Sequence, residues 1–207
     1  MKYVVFDTET SGLPICAGYG LWPDPTDTPR YDRARLLELA WVELDENFNE
    51  TARHAFLVSP PEGVDLESHG GMAFNGITRA ELVAEGRPLG EVLDLFGEAI
   101  GPCNAGPSEL GPTRPVLVAH NIGFDVGVVA AEMVRTGRPW QSFVALPKVC
   151  TMEQGKPLTR IQRFGGWKDP KLSELCTHFG VTLEGAHRAL NDVLACAECF
   201  RRIKVQK

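Results

Sequence analysis

The run Tyr3-Val4-Val5 leads straight into Phe6-Asp7-Thr8-Glu9-Thr10-Ser11-Gly12. Its apolar part reads as a buried strand, and its two acids fall near the strand's end. Side chains at i and i+2 share one face of a strand. Asp7 and Glu9 therefore stand side by side, with Thr8 turned away. Two carboxylates this close repel each other, and at least one pKa rises unless a cation holds them. Such a pair on a buried strand end is costly structurally, which points to a hard divalent metal such as Mg²⁺ or Mn²⁺.

A chain of 207 residues suits one well-packed domain, 1–207, or at most two small ones. Hydrophobic residues make up 43% and charged residues 23%, as in ordinary globular proteins. No window approaches the roughly 18 apolar residues of a membrane span. The N-terminus enters strand pattern without a charged leader and cleavage site, so a cytoplasmic location is expected. The six cysteines are scattered through apolar patterns, which argues against a secreted disulfide framework. Cys196 and Cys199 form a C-x-x-C with no second pair to complete a zinc site, and read as small core residues.

With 27 acids and 21 bases the net charge is −6, which argues against a broad electrostatic grip on duplex nucleic acid. A nuclease gripping a few nucleotides remains compatible. Two bound divalent cations would add four positive charges and bring −6 to −2.

Residues 2–8 read as the first strand, and 36–44 and 53–58 as a hairpin turning at Asp45-Glu46-Asn47. Between them, Pro14, Pro23, Pro25 and Pro29 mark 14–34 as an irregular loop. Thr78, with Glu81 three residues on, caps a helix over 79–85, and Pro88 opens another over 89–100. Residues 101–115 read as a Gly/Pro-rich surface loop. Pro115 to Ala119 is a continuous apolar run, as in a central strand covered on both faces. A helix is predicted from about Phe124 to Arg135, a fifth strand at 142–146, and helices at 172–176 and about 189–203. Strands first, then strands alternating with helices, predict an α/β fold: a mixed sheet with helices packed against it.

Two later segments carry more acids. Asp125 follows Ala119-His120-Asn121-Ile122-Gly123-Phe124, just past a strand and at a helix start, where an acid suits the helix dipole. In Ala186-His187-Arg188-Ala189-Leu190-Asn191-Asp192, five steps of 100° put His187 and Asp192 about 140° apart on an ideal helix. One helical face cannot carry both. A workable arrangement leaves His187 in the loop before the helix and turns Asp192 to the sheet.

In this order the three segments resemble the three exonuclease motifs of the DnaQ-like (DEDDh) 3′→5′ exonucleases. The acids match Asp7, Glu9, Asp125 and Asp192, the histidine matches His187, and the motifs span most of the chain. The resemblance implies an RNase H-like mixed five-stranded sheet flanked by helices. It also implies two divalent cations, Mg²⁺ or Mn²⁺, held by the four acids. Asp7, Glu9 and Asp192 would hold the metal nearest the nucleophile, Asp7 would bridge to the second, and His187 would be the general base. Substrates would be single-stranded or frayed 3′ ends, DNA more than RNA, releasing nucleoside 5′-monophosphates. A free-standing or loosely associated nuclease is expected, with a polymerase or repair partner left open. Two other readings stand beside it. One is a catalytically silent nucleic-acid- or partner-binding module on the same fold. The other is an aspartyl phosphatase, because Asp7-Thr8-Glu9-Thr10 resembles a D-x-D-x-T signature.

Neighbouring residues extend the candidate site. Thr8, Thr10 and Leu13 follow the first acid and are placed to touch a terminal sugar or base, or to pack the strand end. Phe124 meets a base or sugar, or the core; Asn121 is an orienting hydrogen-bond partner. In 156–171, Lys156, Arg160, Arg163, Lys168 and Lys171 interleave with Phe164 and Trp167. That stretch is either a solvated loop or a single-strand platform. In the 14–34 loop, Tyr19, Trp22 and Tyr31 either line a substrate path or anchor the loop to the core.

Overall fold

The computed structural model describes residues 2–18, 20–101, 114–185 and 188–205. Strand β1 (Tyr3–Thr10) is central in a five-stranded sheet. On one side it pairs antiparallel with β2 (Leu36–Leu44), which pairs antiparallel with β3 (Glu50–Leu57). On the other it pairs parallel with β4 (Val116–Ala119), which pairs parallel with β5 (Lys148–Cys150). The order β3-β2-β1-β4-β5 is the expected mixed sheet. The β2–β3 turn is tied by Asp45 Oδ1, which accepts from the backbone N–H groups of Asn47 and Asn49.

Alternation along β1 divides two cores. Val4 and Phe6 pack with Phe96 of α3 (Leu89–Ile100) and with Val128 and Val129 of α4 (Ile122–Arg135). Val5 faces the other way, onto Val193, Cys196, Ala197 and Phe200 of α8 (Ala189–Val205). Because the period is two, Asp7 and Glu9 extend the Val5 face beyond the apolar part of the strand. Cys196 and Cys199 are buried core residues.

Between β3 and α3 lie α1 (Gly71–Asn75) and α2 (Arg79–Glu85). Thr78 and Glu81 form a reciprocal capping box on α2, as the sequence predicts. Helix α1 is bracketed by left-handed glycines, Gly70 and Gly76.

Several expectations need correction. The strand predicted at 142–146 is instead part of α5 (Trp140–Val144) and its end. Phe143 and Leu146 are both buried, with Ala145 exposed between them. That i, i+3 spacing is helical; a strand would bury alternate residues. The fifth strand is the three-residue β5 just beyond. Helix α4 starts two residues earlier than predicted, because Asn121 adopts the left-handed conformation (φ 66°) that asparagine tolerates. The stretch 156–171 is not one loop. It holds the end of α6 (Thr151–Thr159) and a small hairpin, β6 (Gln162–Arg163) with β7 (Gly166–Trp167). Helix α7 (Leu172–Phe179) outruns its predicted end. Cys103, Tyr19 and nearly all of the predicted 101–115 loop lie outside the described residues.

The 14–34 loop is anchored. Tyr31 is buried and its hydroxyl donates to the Pro23 carbonyl at 2.7 Å. Trp22 packs edge-on against Phe124 at 5.3 Å between ring centroids. Gly123 makes room for it, since a Cβ there would sit 2.6 Å from Trp22 Cδ1. No helix among the described residues is long and apolar enough to cross a membrane.

Candidate active site

Parallel strands β1 and β4 end side by side, and the helices packed on either face converge there. Asp7 and Glu9 come from β1. Asp192 comes from the first turn of α8, where it continues the Cys196–Phe200 stripe at i+4 spacing toward the sheet. One carboxylate oxygen from each of Asp7, Glu9 and Asp192 lies within 4.8 Å of the other two. Asp125 reaches the same place from the first turn of α4 on the opposite face. Thr8, turned to that face, donates to Asp125 Oδ1 twice, from its hydroxyl at 2.7 Å and its backbone N–H at 3.1 Å. All four acids line one cleft of about 550 Å³.

The electrostatics are those of a site built for cations. Burial, and then the charges of Asp125, Asp192, Glu9 and Glu38, push the Asp7 carboxyl well above the usual range. Burial lifts Glu9 to about 7, although the Asn75 amide works against it. Burial also lifts Asp125 to about 7 against the two bonds from Thr8. Carboxylates held this close, with so little cationic compensation, match the hard oxygen donors a divalent ion takes. The donor set therefore fits the expected metals.

Thr8, Thr10, Leu13 and Phe124 also line the cleft. The Thr10 hydroxyl donates to the Gly12 carbonyl at 2.7 Å, so both threonine hydroxyls have partners within the protein. Leu13 is 69% exposed at the mouth, and Phe124 is braced by Trp22. Asn121 is not among the cleft residues. Its side chain makes no cap bond, and its contribution is the left-handed turn that starts α4. His187 lies outside the described residues.

Three contributors were missed in the sequence. Helix α1 brings Phe74 and Asn75 to the cleft wall, and the Asn75 amide donates to the Thr10 carbonyl at 3.2 Å. Gly71 permits this docking, because a Cβ there would lie 2.2 Å from the Thr10 oxygen. The flanking glycines were the available signal. His120, also lining the cleft, donates from Nε2 to the Pro170 carbonyl at 3.0 Å, with Nδ1 3.0 Å from Thr151 Oγ1. Burial lowers its pKa to about 4, so it stays neutral.

Glu38 is the third. It faces Glu9 across the β1–β2 ladder and is 4% exposed. It accepts from the Ala189 backbone N–H at 3.0 Å and from the Arg188 guanidinium at 3.2 and 3.3 Å. It thus caps α8 one turn before Asp192 and orients the segment that carries it. Glu38→Ala is expected to destabilise the protein by about 1–2 kcal/mol, as losing a cap does. That is a fall of about 2–8 °C in Tm at this size, with reduced turnover because Asp192 loses its brace. Melting and turnover both at wild-type values would remove Glu38 from this role.

The sequence profile of the exonuclease family matches residues 108–200. DNA polymerase III PolC-type of Clostridium perfringens is 27% identical over 201 residues, covering 97% of this chain but 11% of that protein. DNA polymerase III subunit epsilon of Treponema pallidum is 25% identical over 200 residues, covering 97% of this chain and 75% of that one. The fold matches E. coli exonuclease I, solved in complex with a dT13 oligonucleotide, with a TM-score of 0.74 at 16% identity. That match covers 98% of this chain and 41% of exonuclease I. The sheet is thus of the RNase H-like kind that the resemblance implied. With this fold, the ordered acidic motifs and these relatives in agreement, the chain is similar to the DnaQ-like exonucleases.

Proposed function

We propose that residues 1–207 form one metal-dependent 3′→5′ exonuclease domain. It acts on single-stranded or frayed 3′ ends, of DNA more than RNA, and releases nucleoside 5′-monophosphates. The observation that carries this reading is the convergence of Asp7, Glu9 and Asp192 within 4.8 Å, in a cleft shared with Asp125. Asp7, Glu9, Asp192 and Asp125 would hold two divalent cations, Mg²⁺ or Mn²⁺. Such ions would activate water and stabilise charge on the phosphoryl oxygens.

The chain's own residues supply the rest. His187, two residues before α8 in sequence, would accept the proton of the attacking water as general base. Leu13 and Phe124 offer apolar walls to a terminal sugar and base. Thr8 and Thr10, their hydroxyls bonded internally, line the cleft beside the acids. The polymerase III relatives support a polymerase partner, and exonuclease I with its oligonucleotide supports a single-stranded substrate. A reducing, cytoplasmic setting suits the free thiols, among them Cys176 and Cys199, whose sulfurs lie 3.7 Å apart.

Digestion of 5′-labelled single strands of DNA and RNA tests the reading. With Mg²⁺ or Mn²⁺ the label should shorten one nucleotide at a time from the 3′ end, and chelator should stop it. His187→Ala should slow the reaction about 100-fold or more. Cleavage that persists in chelator overturns the metal mechanism, and wild-type speed in His187→Ala removes the base.

A further inference from the structure

We infer that the β6–β7 hairpin is a binding platform for single-stranded nucleic acid, which holds the strand leading into the cleft. The inference rests on the exonuclease reading above and adds a second contact region to it. Phe164, at the hairpin turn, is fully exposed at 106%, and Trp167 is 42% exposed. Gly165 takes a positive φ of 79° beside Phe164, which lets the two short strands close into a tight turn with the ring at its tip. The Arg160 guanidinium lies over the Trp167 ring, 5.4 Å from its centroid. Lys156, Arg163 and Lys168 join both rings around a shallow depression of about 360 Å³.

Charge selects the occupant. Residues 156–171 carry five bases and one acid in a chain of net charge −6. Lys156 pairs with Asp169 at 2.9 Å and Lys168 with Glu174 at 2.6 Å, while Arg163 is exposed on the rim. Apolar rings ringed by cations suit neither a hydrophobic protein face nor a bare anion. They suit a single strand, whose bases stack on rings and whose phosphates pair with Arg and Lys. A duplex hides its bases and would leave the rings uncovered.

Position ties the hairpin to the cleft. Trp167 precedes Pro170 by three residues, a reach of at most about 11 Å. The Pro170 carbonyl is bonded to His120, which lines the cleft. A strand with its 3′ end among the acids can extend to the hairpin, and the nucleotides nearest that end are held chiefly by the cleft itself, so the hairpin's share grows with strand length.

The test is equilibrium binding of labelled dT12 and dT3 to the full chain, with Ca²⁺ in place of Mg²⁺ to prevent digestion. The double variant Phe164→Ala/Trp167→Ala should bind dT12 at least tenfold more weakly, while dT3 affinity moves less than twofold. Arg163→Ala should reduce the slope of log K against log salt for dT12 by about 0.7, the share of one phosphate on a single strand. Unchanged dT12 binding in the double variant overturns the platform, and so does an equal loss for both lengths. If wild-type protein binds dT12 through the hairpin but digests no strand in Mg²⁺, the platform stands and the exonuclease reading falls.

Discussion

Asp7→Asn is expected to abolish strand digestion and, at the same time, to make the metal-free protein more stable. The two effects have one cause. Without a cation the Asp7 carboxylate is buried and faces Asp125, Asp192, Glu9 and Glu38, all acting against its charge. An isosteric amide removes that repulsion. The same amide is a poor ligand for a hard cation, so the charge stabilisation that metals give phosphoryl transfer is lost. At about 1.4 kcal/mol per factor of ten, losing several kcal/mol costs at least about 1,000-fold in rate. Thermal melting separates the two parts. In chelator the variant should melt above wild type. Mg²⁺ at about 100 times its Kd should stabilise wild type by about 2.7 kcal/mol, which is about 5–10 °C here, and should move the variant little. A variant that keeps its activity, or gains as much from Mg²⁺ as wild type does, would sink the assignment of Asp7 as a ligand.

Stabilisation by Mg²⁺ is expected to grow as pH rises from 5 to 8. Glu9 and Asp125 sit near 7 in the fold, against 4.5 and 3.8 for unperturbed carboxyls. Between those values the metal-free fold keeps protons that the unfolded chain has released. The stability this gives is complete below about pH 4 and is lost as pH climbs through 7. Mg²⁺ binds the deprotonated carboxylates and so offsets the loss more fully at higher pH. His120 runs the opposite way: lowered to about 4, it costs stability as pH falls below its unperturbed 6.5. It does so with or without metal, which is why the difference between the two conditions is the quantity to follow. Urea midpoints in chelator and in Mg²⁺ at pH 5, 6.5 and 8 should diverge steadily. A gap that stays constant or narrows would show that these carboxyls are not the metal site.

Some of the site was legible because it is local. The Asp7/Glu9 face follows from strand alternation alone, and the turn of Asp192 toward the sheet from its helical angle to His187. The Thr78–Glu81 box and the helix after Pro88 were legible for the same reason. The misread stretch at 142–146 fails where periodicity is weakest. Five mostly apolar residues fit strand or helix equally well until the burial of Phe143 and Leu146 chooses between them. Helix α1 is too short to leave a periodic trace, and only its flanking glycines mark it. His120 read as a motif neighbour, because nothing near it in sequence foretells Pro170 as its partner.

By itself, then, the sequence determined the element pattern, the face on which the first two acids lie, and the ordered motifs whose resemblance to the DnaQ-like exonucleases those acids begin. Only the tertiary structure decided that these acids share one cleft. Thr8 meets Asp125 across 117 residues, and Glu38 caps the helix of Asp192 from 151 residues before Ala189. Such pairings depend on sheet order and on which helix crosses which face, and these are settled by packing both cores at once rather than by any local pattern.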